Sequence, residues 1–172
     1  ELVQPLGLNG LYFGVPTSEL NRVATLEEAP VLLVREPGAI PDIAPEDSLS
    51  DHQMNRPEIR QSCLPGYGLC TTARSLAKLY ALLANGGEFE GVRLLSEEAL
   101  EQATTLQKPT GKLSVIPFDM RWRLGYHGVA TTRGFPRRAF GHFGFGGSGA
   151  WADPQRNLSV ALIVNSGLGS PF

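Results

Sequence analysis

Apolar positions along the chain change period twice, and those changes divide it into three stretches. Over residues 1–64 no period holds, because proline recurs at positions 5, 16, 30, 37, 41, 45 and 57. Each proline removes a backbone donor and clashes with the preceding turn of a helix. The pattern leaves one or two helical turns at 17–23 and a short strand at 29–35, an irregular excursion laid over another part of the fold. Residues 65–105 read as helical. Leu76, Leu79, Tyr80 and Leu83 recur at helical spacing within 73–84 and make one apolar face. Thr71 or Thr72 offers the N-cap, and Asn85-Gly86-Gly87 a left-handed stop. A tight turn at Gly91 joins two short extended pieces within 88–95. Ser96-Glu97-Glu98 opens a second helix running to about residue 105, with acids where the helix dipole favours them.

The last third reads as β. Strands are predicted at 121–126, 139–144, 149–152 and 158–165, the last two joined by a turn at 153–157. No helical pattern separates them, so residues 121–165 should form antiparallel strands.

Composition narrows the function. Glycine (20) and proline (13) are both abundant, in keeping with a turn-rich globular chain of 172 residues and one domain or a large part of one. The formal charge of −2 comes with no basic stripe, which argues against a nucleic-acid partner. The apolar runs at 31–34 and 160–164 are far below the ~20 residues of a membrane-spanning helix, so no transmembrane segment is expected. The chain opens Glu1-Leu2-Val3-Gln4 with neither initiator Met nor signal pattern, as expected of a processed or excised segment, so the compartment of the parent protein stays open, with the cytoplasm slightly favoured. Two cysteines, Cys63 and Cys70, make no disulfide scaffold, and the short loop between them gains little from closure. With His52 they fit no zinc spacing, so neither metal nor cofactor is expected.

Three short motifs compete for chemistry. Gly144-Phe145-Gly146-Gly147-Ser148-Gly149 matches a dinucleotide loop, but a strand follows where the pyrophosphate would need a helix N-terminus. Ser148 sits one residue short of a nucleophile elbow, with Ala150 in place of the final glycine. Ser75-Leu76-Ala77-Lys78 has the nucleophile–base spacing. Ser75 is nevertheless already inside the first helical turn, and Ser75, Lys78 and Arg74 are expected on the solvent face. Arg133, Arg137 and Arg138 read as a solvated loop in preference to a carboxylate site. His52 and His127 have loop-like neighbourhoods without ligand-spaced partners, whereas His142 stands late in a strand just before the glycines.

Longer stretches are more specific. Pro5-Leu6-Gly7-Leu8 through Tyr12-Phe13-Gly14, then Pro65-Gly66-Tyr67-Gly68 into Thr72-Ala73-Arg74-Ser75, continue through Asn85-Gly86-Gly87 to Ser96. Phe140-Gly141-His142-Phe143-Gly144-Phe145-Gly146-Gly147-Ser148 and Trp151-Ala152-Asp153-Pro154 complete the set. Together they resemble the serine β-lactamase-related family of class C β-lactamases, DD-peptidases and related esterases, over nearly the whole chain and in the right order. The resemblance implies an α+β fold of the α/β sandwich type, β-lactamase/transpeptidase-like, in which an antiparallel sheet is flanked by helices. Here that fold is incomplete: residues 1–172 are expected to be the C-terminal portion of a single domain.

The resemblance also implies roles. His142-Phe143-Gly144 matches the strand motif that lines the cleft, which makes His142 a catalytic candidate and Phe143, Gly144 and Gly146 substrate-binding ones. The backbone N–H of Phe145 maps to the oxyanion hole, where loss of one donor costs ~10²–10³ in rate. The family's Ser-x-x-Lys nucleophile and Tyr-x-Asn precede the Pro-Leu-Gly segment, and no Tyr-x-Asn or Ser-x-Asn occurs here. The expected partners are therefore a small ester or amide substrate and an N-terminal half carrying the nucleophile. The expected activity of the whole is acyl-enzyme hydrolysis, esterase-like because Phe143 puts bulk where a dedicated β-lactamase has threonine. A catalytically silent binding or assembly module is the alternative. The 172-residue chain alone should form no acyl-enzyme.

Overall fold

The structure, a computed structural model, describes residues 2–27, 51–66, 68–108, 119–144 and 147–166. The strand expected at 29–35, Tyr67 and two of the candidate site residues, Phe145 and Gly146, lie outside them.

The central feature is a helix against a sheet. Strands β1 (Leu11–Phe13) and β2 (Leu69–Thr71) pair antiparallel, and the 3-10 helix Thr17–Arg22 follows β1. Two short helices, α1 (Asp51–Met54) and α2 (Pro57–Gln61), precede β2, and the longest helix, α3 (Ala73–Ala84), follows it. The hairpin β3 (Glu88–Phe89) and β4 (Val92–Arg93) leads to helix α4 (Glu97–Thr104). A four-stranded antiparallel sheet closes the chain: β5 (His127–Gly128), β6 (Phe140–Phe143), β7 (Gly149–Asp153) and β8 (Leu158–Leu162), in that spatial order. This is the expected mixture of helices and antiparallel sheet.

Local chemistry accounts for α3. The Thr72 hydroxyl accepts from the Ser75 amide at 3.2 Å and satisfies one of the orphan donors of the first turn. At the other end the Gly87 amide donates to the Leu82 carbonyl at 2.9 Å. Gly87 has φ +90°, and a Cβ there would lie 2.3 Å from the Leu95 carbonyl oxygen, so no other residue fits this stop. Thr72→Ala is expected to cost about 1 kcal/mol and Thr72→Ser much less; urea denaturation of the pair measures the cap.

Helix α3 packs on β7 and β8. Its Leu76, Tyr80 and Leu83 enter the core as their spacing predicts, and Leu82, outside that stripe, is buried as well. Phe140, Ala150 and Ala152 meet them from the sheet, and Leu6, Leu8 and Leu11 from the opening segment. The irregular start thus fills part of the main core, its prolines having prevented helix without preventing burial.

One strand differs from expectation. Residues 121–126 are not part of the sheet; its first strand begins at His127. Arg121 and Gly125 have φ of +53° and +80°, and the Arg123 amide donates to the Tyr126 carbonyl at 2.8 Å, closing a turn. Those left-handed residues are incompatible with a continuous ladder.

Candidate active-site edge

The sheet register places the candidate residues. Within β6, Phe140 pairs with Ala152 and His142 with Ala150, while Gly141 pairs with Trp151 and Phe143 with Gly149. Phe140 is buried at the core end, and exposure rises along the strand until His142 is exposed. His142, Phe143 and Gly144 therefore stand where β6 leaves the core, with the turn to β7 following. The Gly144 amide donates to the Ser148 carbonyl at 2.9 Å, and the Gly147 amide donates to the Gly144 carbonyl at 3.0 Å. Among the described residues a Cβ on Gly144 would meet nothing nearer than the Ser148 carbonyl oxygen at 3.7 Å, an ordinary contact. No neighbouring group among the described residues requires a glycine there.

A line of rings runs from the helix to this edge. Tyr80 of α3 lies edge-on to Tyr126 at 6.5 Å, and Tyr126 lies edge-on to Phe140 at 5.2 Å. Burial, and then Tyr126 beside it, push the Tyr80 phenol well above its usual range, against a smaller opposing contribution from the His142 backbone. Trp122 meets His127 at 5.8 Å, and His127 meets His142 at 5.3 Å. Desolvation, and then His127, lower the His142 pKa below the usual histidine value, which favours the neutral imidazole at pH 7.

His127 is a residue that the sequence pattern missed. It is 2% exposed. Its Nε2 accepts from the Phe143 amide at 3.0 Å, and its Nδ1 lies 2.8 Å from the Gly128 carbonyl oxygen. Nothing local distinguishes it from His52, since its contact with Phe143 spans 16 residues. A histidine beside a tryptophan and a tyrosine (Trp122, Tyr126, His127) was the only available signal.

Ser75 corrects an expectation. It is not on the solvent face: it is 4% exposed, and its hydroxyl donates to the Asn9 carbonyl at 2.6 Å. The first turn of α3 docks on the segment before β1, where the Thr72 amide also reaches the Gly10 carbonyl at 3.0 Å. Lys78 ion-pairs with Glu90 at 2.7 Å. Serine and lysine are thus each engaged elsewhere. The Ser148 hydroxyl accepts from the Val164 amide at 3.0 Å and donates to its carbonyl at 3.2 Å, which ties the start of β7 to the chain beyond β8. Arg133, Arg137 and Arg138 are exposed.

Cys63 and Cys70 are free thiols. A cavity of about 630 Å³ lies between β1–β2, the 3-10 helix and residues 163–165; Ser148 lines it, but His142, Phe143 and Gly144 do not. Among the described residues no cluster of three or more metal-binding side chains occurs, and no helix is long and apolar enough to cross a membrane.

Known proteins resemble this chain in sequence and in fold. A family model described as beta-lactamase matches residues 1–171. The Mycobacterium tuberculosis protein named Esterase/beta-lactamase LipL is 29% identical over 188 residues, covering 96% of this chain and 41% of that protein. A penicillin-binding protein homolog from Caulobacter crescentus superposes with a TM-score of 0.70 at 31% identity, covering 96% of this chain and 45% of its own. A family VIII carboxylesterase gives a TM-score of 0.73 at 29% identity, covering 95% and 43%. The chain therefore spans about two fifths of the length of the curated relative it matches.

Proposed function

The chain belongs to the beta-lactamase family, and from that membership we propose that it is the C-terminal part of a serine hydrolase that cleaves esters or amides through an acyl-enzyme. The observation that carries this reading is the end of β6, where Gly144 is held by two backbone hydrogen bonds while no described residue beyond its chain neighbours comes nearer than 3.7 Å to the place its Cβ would occupy. Esters are favoured over β-lactams and peptides, because Phe143 brings bulk to the edge and one similar structure is that of a family VIII carboxylesterase.

In this mechanism a serine from the N-terminal half attacks the substrate carbonyl. Its hydroxyl proton passes to a base on that same half, and the carbonyl π electrons move onto oxygen. The Phe145 N–H meets the developing negative charge, Gly144 and Gly146 allow the acyl group to lie against the backbone, and His142 and Phe143 wall the cleft. Collapse of the tetrahedral intermediate expels the alcohol or amine, and water then releases the acid by the same route. His142, held neutral, offers either a donor or an acceptor to the substrate without bringing charge into the cleft.

Labelling of the full-length protein with a fluorophosphonate and with a penicillin tests this. The expected result is covalent modification of one serine upstream of this chain by the fluorophosphonate, with faster turnover of p-nitrophenyl esters than of penicillins. Ser75→Ala is expected to leave ester turnover within about twofold, in line with its hydroxyl being committed to the Asn9 carbonyl. Labelling at Ser75, or a full-length protein that neither labels nor turns over, would refute the proposal; the second outcome would favour a binding or assembly module.

A further inference from the structure

We propose that His127 is a positioning residue for this reaction, its imidazole standing in for a missing strand partner and setting the end of β6. The inference rests on the function proposed above and extends it to a residue outside the cleft motif.

The sheet itself creates the need. β5 contributes only two residues, and its pairing with β6 covers Gly128↔Phe140 and His127↔Gly141. Before His127 the chain folds into the turn closed by the Arg123–Tyr126 hydrogen bond, so no β5 backbone runs on beside Phe143. A backbone N–H left without an acceptor inside a protein costs about as much as a lost hydrogen bond. The His127 side chain fills the gap, with Nε2 3.0 Å from the Phe143 nitrogen.

The chemistry of the pair settles the tautomer. An amide N–H can only donate, so Nε2 carries the lone pair, and Nδ1 carries the proton that it donates to the Gly128 carbonyl at 2.8 Å. Both ring nitrogens are therefore used in one sense, and Trp122 and His142 hold the ring edge-on. The residue so fixed is Phe143, immediately before Gly144 and two before the amide assigned to the oxyanion. Displacement of reacting groups by about 1 Å can cost ~10²-fold in rate.

A purely structural histidine and a positioning one differ in what their replacement changes. His127→Phe keeps a ring of similar bulk but strands the Phe143 N–H. His127→Gln can offer an oxygen near the position of Nε2, whereas His127→Asn is too short to reach it. In the full-length protein, His127→Phe and His127→Asn are expected to lower kcat for a p-nitrophenyl ester about tenfold or more, with KM within about twofold. His127→Gln should recover most of kcat, and amide exchange at Phe143 should speed up in the first two variants only.

Wild-type kcat in a folded His127→Asn variant would overturn the role. So would equal losses in the Gln and Asn variants, or a loss that tracks melting temperature alone. Should the Phe variant fail to fold, the Gln–Asn comparison decides the matter. An inert wild-type protein overturns the proposed function and this role with it, and is distinguished from failure of the role alone by the absence of any activity to compare.

Discussion

Gly144→Val is expected to lower kcat/KM of the full-length protein at least ~10²-fold, equivalent to about 2.7 kcal/mol of transition-state stabilisation, while leaving the fold largely intact. The two halves of that expectation have separate grounds. Among the described residues a Cβ at Gly144 finds its nearest atom, the Ser148 carbonyl oxygen, at 3.7 Å, so none of them obstructs the new side chain. The Gly144 N–H bond to Ser148 does not involve the side chain. Two methyl groups would nevertheless occupy the place proposed for the acyl group, beside the Phe145 amide. Ester kinetics together with a melting curve check both halves, and Gly144→Ala should fall between wild type and valine. Unchanged kinetics in a folded valine variant would remove Gly144 from the cleft.

Gly141→Ala, three residues earlier and inside β6, is expected to do the opposite: to cost at least ~3 kcal/mol of stability, at the upper end for added bulk in a packed interior. Its Cβ would lie 2.2 Å from the Ala150 carbonyl oxygen and 2.6 Å from both Cα and Cβ of Trp151. The first two of these atoms are backbone, so no rotamer change relieves the clash; β6 and β7 must separate in the middle of the four-stranded sheet. Urea denaturation, or recovery of soluble protein where the variant is too unstable to titrate, measures this. Stability within about 0.5 kcal/mol of wild type, the range of ordinary surface substitutions, would show that the two strands can part at little cost. Strand β6 thus carries a glycine needed for packing, and just beyond its end stands a glycine for which no described residue makes that demand.

The amino-acid sequence by itself determined what depends on neighbours within a few residues. Helix α3 spans Ala73–Ala84 because Thr72 caps it and Asn85-Gly86-Gly87 stops it, and α4 follows Ser96 for the same reason. Strands β6, β7 and β8 lie where short stretches bounded by turn residues put them, and strands joined by turns pair antiparallel. The position of His142-Phe143-Gly144 at the end of a strand was legible as well, being one contiguous motif. The tertiary structure decided what depends on atoms far along the chain. Residues 121–126 have strand-like composition, yet left-handed conformations at Arg121 and Gly125 turn them away from the sheet. Ser75 faces inward because a carbonyl 66 residues away accepts its proton. His127, without distinction in its own neighbourhood, becomes the acceptor for a strand end 16 residues on. Periodicity reports which face of an element is apolar; it carries no information about which polar atom will need a partner, because that need arises only once two distant backbones have been brought together.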